Sequence, residues 1–354
     1  MIALLCCFVA QLNHQIIKRQ LGRTMFRWGI LSTAKIGREH VIPAIADSEN
    51  GIVAAVASRD MAKAQKLAAR FQAPHAFGSY EAMLESGTID GVYIPLITSE
   101  HVRWAIAAAK AGKHVLVEKP LAMHAFEIAP LLEVEQQTKV LISEAFMVTY
   151  HPQWWKVREL LQSGVIGTLK HVQGAFSYNN AGDLENMRNR ADQGGGALPD
   201  IGVYPTVTTR FVTGIEPKRV SATVEYENGV DVYSSVRSDF GGFELSYYLS
   251  MRMANRQVMV FHGDKGFIEV HEPFNAGLYG DPVVTLSNGN HSEITAFRFG
   301  GAKHYREMVE AFVAHVQGQP TKPVFRLSDS IANQKALDAV FRAGKISHGG
   351  WEAV

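Results

Sequence analysis

Apolar and polar positions follow two different rhythms along this chain. From Phe26, short apolar runs take turns with stretches whose apolar residues recur at helical spacing. FRWGIL (26–31) predicts a strand, 36–46 a helix, and GIVAAVA (51–57) a second strand that is apolar throughout. Met61, Ala64, Leu67, Ala68 and Phe71 share one side of a helix predicted over 61–71. The alternation continues with an extended piece at 74–77, helices at 80–85, 100–111 and 126–137, and strands at 91–94, 114–117 and 140–142. Strands without a polar face, separated by single helices, imply a parallel sheet covered on both faces, which is a doubly wound nucleotide-binding architecture.

After Glu144 the rhythm changes. A helix predicted over 153–162 leads into HVQGAFSY (171–178), RVSATVEY (219–226), VDVYSSVRSDF (230–240), FELSYYLS (243–250), QVMVFHG (257–263) and GFIEV (266–270). Turns such as Glu227-Asn228-Gly229 and Gly241-Gly242 predict a mostly antiparallel sheet, and helices over 304–317 and 327–342 close the chain. The expected organisation is an extension outside the fold over 1–24, an α/β doubly wound domain over 25–145 and an α+β domain over 146–354. The extension holds an apolar run from Ile2 to Ala10, but no cation precedes it, no small-residue cleavage pattern follows, and it is too short to span a bilayer. Met25 is the expected functional start.

Composition narrows the partners. A formal net charge of +1 over 354 residues argues against nucleic acid or an anionic membrane as partner, leaving small molecules as the default. Cys6 and Cys7 are neighbours and build no disulfide framework, so a reducing, cytoplasmic setting is expected. The fourteen histidines show no H-x-x-x-H or H-E-x-x-H spacing, and no metal site is expected.

The turn after the first strand runs from Gly29 to Gly37, with Ser32, Thr33, Ala34 and Ile36 between them. A dinucleotide fingerprint would place glycines at 32, 34 and 37, for a tight turn, close approach to pyrophosphate and close helix packing. Only Gly37 is glycine, while Ser32 and Ala34 are the next-smallest choices. An NAD site would carry an acid near position 58, yet Ser58 and Arg59 stand there, and Asp60 is placed to cap the following helix. Serine and arginine suit a 2′-phosphate, so NADP is expected over NAD.

Two further segments carry chemistry. VLVEKPLA (115–122) aims Glu118 and Lys119 from a strand's carboxyl end into the expected cofactor crevice, where Pro95 and His101 are further candidates. GGGALPDIGVYP (194–205) puts Asp200 and Tyr204 four apart, hence on one helix face, with Asp200 able to cap the helix and Pro205 tolerable only in its first turn. Tyr178, Asn179, Asn180, Arg188, Arg190 and His151 are candidate substrate-facing residues.

The order GILSTAKIG, ASRD, EKPLA, GGGALPDIGVYP resembles the glucose-fructose oxidoreductase, inositol dehydrogenase and MocA family (Gfo/Idh/MocA) across most of residues 26–345. The resemblance implies a Rossmann domain followed by an open, largely antiparallel sheet that commonly mediates oligomerisation, here a homodimer or homotetramer. It also implies that Lys119 is the catalytic lysine of EKP and that Asp200 and Tyr204 occupy the D-x-x-x-[HY] pair. Tyrosine at 204 looks most like the NADP-linked dihydrodiol and D-xylose dehydrogenase branch. Thr98 and Thr149 depart from a frequent asparagine and a frequent arginine. The expected reaction is hydride transfer between nicotinamide and a secondary alcohol or ketone of a sugar, cyclitol or dihydrodiol. Tyr204 would serve as acid/base, Lys119 would favour its phenolate, and Asp200 would orient the substrate or the lysine. The alternative is a dinucleotide-binding sensor without turnover.

Overall fold

The computed structural model describes residues 25–278, 280–290, 292–345 and 350–354. The extension expected over 1–24 lies outside the described residues. Six parallel strands, β1 (Phe26–Leu31), β2 (Gly51–Ala57), β3 (His75–Phe77), β4 (Gly91–Ile94), β5 (His114–Val117) and β6 (Ile142–Glu144), form a sheet in the order β3-β2-β1-β4-β5-β6. This is the doubly wound order, whose switch point lies between β1 and β4. β2, β4 and β6 are buried along almost all of their length because helices cover both faces, while the edge strand β3 is partly exposed. Ile30, Val56, Tyr93 and Leu116 pack toward one side, and Leu31, Ala55, Ile94 and Val117 toward the other.

The predicted strand at 140–142 forms two residues later, at Ile142–Glu144. Sequence reading stops before Ser143 and Glu144 because they are polar, whereas the structure buries both. Ser143 donates to Phe325 O, and Glu144 accepts from the amide of Leu121 at 2.8 Å. These partners offset the desolvation that would otherwise exclude them.

The second sheet has nine strands in the order β14-β13-β12-β11-β7-β10-β9-β8-β15. They are β7 (Leu169–Asn179), β8 (Arg219–Glu227), β9 (Val230–Asp239), β10 (Glu244–Ser250), β11 (Arg252–Gly263), β12 (Gly266–Val270), β13 (Val283–Asn288), β14 (Ile294–Arg298) and β15 (Glu352–Ala353). All pairs are antiparallel except β7 with β10, so the sheet is mixed. In β10, Leu245, Tyr247 and Leu249 are buried while Glu244, Ser246 and Tyr248 between them are half-exposed, the signature of a sheet covered on one face. The last three strands were not expected from the sequence. Helices over His304–Val316 and Leu327–Ala343 return the chain to the first sheet, and Ser143 to Phe325 is one of the bonds joining them.

Candidate active site

The crevice begins where β1 ends. Ser32 adopts φ 120°, a value that favours glycine. Strain of this kind costs about 1–3 kcal/mol, and here the Ser32 hydroxyl offsets it by donating to Pro95 O at 3.2 Å and accepting from the amide of Ala34 at 3.2 Å. A serine therefore takes the place of the expected glycine by satisfying the turn with its own side chain. Gly37 does meet the packing requirement, since a Cβ there would lie 3.4 Å from both Pro95 and Tyr93. The helical turn that follows leaves its first amides without upstream carbonyls, a ready receptor for phosphate.

At the end of β2, Ser58 is buried and its hydroxyl accepts from the amide of Asp60 at 3.2 Å, leaving its own proton free to donate. Asp60 caps the helix Met61–Arg70 through the amides of Ala62 and Lys63, as its position in the sequence led us to expect. The carboxylate nearest the ribose position is thus engaged elsewhere, and exposed Arg59 remains beside it. These residues fit a phosphate-bearing dinucleotide.

Past the ends of β4 and β5 lies a cavity of about 100 Å³. Ile36, His101, Glu118, Lys119, Arg188, Asp200 and Tyr204 line it, together with Thr98 and the glycines 194–196. The Lys119-Pro120 peptide is cis. His101 joins the two strand-end loops, its ring nitrogens 2.8 Å from Pro120 O and 2.9 Å from Leu96 O. Tyr93, on β4, donates to Glu118 at 2.6 Å. Burial raises the Glu118 carboxyl above its usual value and takes that of Glu144 up to about 7.

Asp200 organises the cavity. Lys119 Nζ donates to its backbone carbonyl and, at 3.0 Å, to Oδ1, while Arg188 Nε and the Tyr178 hydroxyl each donate to Oδ2 at 2.7 Å. Burial alone would raise the Asp200 carboxyl, but Arg188, Lys119 and Tyr178 together hold it well below the carboxylate range. Two of the three Lys119 N–H groups are used in this way, which leaves the third for a substrate oxygen.

Asp200 is not the cap that its sequence context suggested. It lies inside a π-helical turn, Leu198–Gly202, that runs directly into the α-helix Val203–Thr213. Asp231 takes the capping place, accepting from the amide of Leu198 at 2.6 Å. The wide π turn also absorbs Pro205, which has no amide to offer the preceding turn. Tyr204 differs from expectation as well. Its hydroxyl donates to Met147 Sδ at 3.7 Å, and Lys119 Nζ stands over its ring, 5.1 Å from the centroid. Burial first, then Glu118 and Asp200, push its phenol well above the usual value, so the neutral form is the stable one.

Among the substrate-facing candidates, the structure brings Tyr178 and Arg188 to this cluster. His151 caps the helix Pro152–Gln162 and packs against Phe299 and His304. Arg190 pairs with Asp192 at the surface, Asn179 bonds the amide of Ala181, and Asn180 accepts from Arg252. None of these four lines the cavity, and Thr149 bonds Phe146 O instead of facing it. Sequence reading missed Tyr305, which enters the cavity from the helix His304–Val316. No spacing or motif marks that residue. Among the described residues, no group of three or more His, Cys, Asp or Glu could hold a metal ion, and no helix is long and apolar enough to cross a membrane.

The model of an oxidoreductase family with an NAD-binding Rossmann fold (GFO/IDH/MocA) matches residues 26–146, and that family's C-terminal domain matches residues 154–269. The chain belongs to this family. Among its Gfo/Idh/MocA relatives, an uncharacterized oxidoreductase of Rhizobium meliloti is 37% identical over 336 residues, covering 93% of this chain and 99% of that one. D-xylose 1-dehydrogenase (NADP(+)) 2 of Haloferax volcanii is 32% identical over 335 residues, covering 90% and 97%. A 3-ketoreductase from Actinomadura kijaniata, solved in complex with NADP and TDP-benzene, is similar with a TM-score of 0.84 at 28% identity, covering 90% of this chain and 98% of that one.

Proposed function

We propose that this Gfo/Idh/MocA protein is an NADP(H)-dependent oxidoreductase that interconverts a secondary alcohol and a ketone on a sugar-like substrate. The observation that carries this reading is the convergence of Lys119, Asp200 and Tyr204 on one cavity beside the dinucleotide crevice. The NADP-linked xylose dehydrogenase and the NADP-bound ketoreductase among its relatives support the choice of cofactor and substrate class. Ser58 and Arg59 would take the 2′-phosphate, and the amides of the turn at 32–37 the pyrophosphate.

When bound, the nicotinamide supplies or accepts the hydride. The residues of this chain manage the proton and the oxygen. In reduction, Lys119 holds the carbonyl oxygen with its remaining N–H, so that negative charge develops against a cation. Tyr204 gives that oxygen its proton, and a phenol kept neutral by burial suits the donor role. Oxidation runs the same steps backwards and starts from the Tyr204 phenolate, which takes the alcohol proton and returns to the neutral phenol that burial favours. Asp200 positions the Lys119 ammonium through its two bonds and keeps Arg188 at the cavity mouth.

Docking of two copies through the open face of the nine-stranded sheet completes the reading, and light scattering at several concentrations tests it. The function itself is tested by fluorescence titration with NADPH and NADH, followed by a panel of pentoses, hexoses and dihydrodiols with NADP. The reading requires tighter binding of NADPH and turnover of at least one panel member. Tight binding without turnover would favour a sensor.

A further inference from the structure

Asp231 is a buried acid that the chemistry described above does not use. It stands on β9, is 2% exposed, and among the described residues no lysine or arginine pairs with it. Its carboxylate meets backbone instead. Oδ2 accepts from the amide of Leu198 at 2.6 Å, and the amides of Ala197 and of Asp231 itself also favour the charged form. Gly196 leaves room for this approach, since a Cβ there would collide with Oδ1, and its φ of 123° is one that glycine adopts without strain. Burying a carboxylate without a cation is costly. An asparagine oxygen could accept from Leu198 without that cost, so the amide bond alone does not account for an acid at this position.

The segment that Asp231 holds is the one that carries the site. The Gly196 carbonyl accepts from the amide of Asp200 at 3.3 Å, and the Gly196 amide donates to Arg188 O at 2.8 Å. Leu198 opens the π-helical turn in which Asp200 lies, and Asp200 in turn fixes Lys119 Nζ through its backbone carbonyl and Oδ1. A charged acceptor holds an amide about twice as firmly as a neutral one. Loss of the charge at 231 therefore loosens residues 196–198 and, through them, the Asp200 cluster. Asp231 itself does not line the cavity.

We propose that Asp231 is a positioning residue for the reaction: its carboxylate, acting through the amides of the turn at 196–198, sets the place of Asp200 and so of the Lys119 ammonium against the substrate oxygen. The inference rests on the oxidoreductase reading and adds a residue to the three that carry it. Burial pushes the Asp231 carboxyl up to about 7 against the pull of those amides, and Asp200 on the turn adds to the rise. Tyr226 faces it from β8, opposite in register, and is itself raised by burial and by Asp231. The charge at 231 is thus present above about pH 7 and lost below it, so the hold on Lys119 weakens as the pH falls.

The test measures single-turnover reduction of bound NADP by the fastest substrate of the pentose, hexose and dihydrodiol panel, between about pH 5.5 and about pH 8.5, in wild type, Asp231→Asn and Asp231→Ser. Neither replacement ionises, and each can still accept from an amide. The ratio of wild-type to variant rate isolates position 231, because Glu144, Tyr204 and the other titrating groups are common to all three proteins. That ratio is expected to be about tenfold at the alkaline end and to fall toward unity at the acid end, with NADPH affinity within about twofold of wild type. Variant rates equal to wild type at the alkaline end, or a deficit that does not change with pH, would overturn the positioning role while sparing the oxidoreductase reading. A deficit that tracks a loss of NADPH binding would overturn it as well. No hydride transfer in the wild type would overturn both.

Discussion

Replacing Asp200 by asparagine removes one charge and almost no volume, and it tests the electrostatic centre of the site. In the folded protein that charge holds Lys119 through Oδ1 and Arg188 with Tyr178 through Oδ2. The Lys119 and Asp200 side chains are 13% and 15% exposed, whereas Arg188 is 41% exposed. Removing one partner of a fully buried pair costs about 3–5 kcal/mol, and solvent at Arg188 reduces this to about 2–3 kcal/mol for Asp200→Asn. For a chain of this size that amounts to a fall in Tm of roughly 5 °C. The kinetic effect should be larger. An amide presents oxygen to only one of the two cations; with that oxygen turned to Arg188, Lys119 keeps only its bond to the backbone carbonyl of residue 200 and is held less firmly, and kcat should fall by about a hundredfold. Arg188→Gln is the matched comparison, because it disturbs Oδ2 without touching Lys119, and it should raise KM more than it lowers kcat. Calorimetry and steady-state assays on the three proteins read both effects. A kcat for Asp200→Asn within about twofold of wild type would refute the assignment of Lys119 positioning to this carboxylate.

Three further outcomes follow from the geometry. Gly195→Ala would place a Cβ within 2.7 Å of the carbonyl oxygens of Met187, Arg188 and Arg190. The loop carrying Arg188 must then shift its backbone, so KM should rise several-fold and Tm should fall, measured by steady-state kinetics and thermal melting. Arg59→Ala should weaken NADPH by about tenfold and NADH much less, read by fluorescence titration. Burial pushes the Glu144 carboxyl up to about 7 from its ordinary 4.5, so its protonation contributes stability that is complete below 4.5 and lost as pH rises through 7. Glu144→Gln cannot ionise, and the decline in stability between pH 5 and 8 should be shallower than in wild type by up to about 3 kcal/mol, measured by urea unfolding.

The parallel sheet was legible because its strands are buried on both faces and its helices repeat at 3.6 residues, two patterns that local sequence encodes. Lys119, Asp200 and Tyr204 were legible because each sits in a motif. The remainder depended on distance in the chain. Asp231 caps the turn at Leu198 from 33 residues away, and nothing near either residue announces it. Tyr305 reaches the cavity only because the last helices fold back on the first sheet. The state of Tyr204 was misjudged for the same reason. The sequence suggested a nearby lysine, but Lys119 spends its bonds on Asp200 and meets the ring face, while burial dominates at the hydroxyl.

The most direct test of the central claim is single-turnover oxidation of bound NADPH, followed by its fluorescence, with a panel of keto-sugars in wild type, Lys119→Met and Tyr204→Phe. The account predicts NADPH binding in all three proteins, hydride transfer in the wild type, and transfer slowed by about a hundredfold or more in each variant. Transfer at wild-type rate in both variants would contradict it.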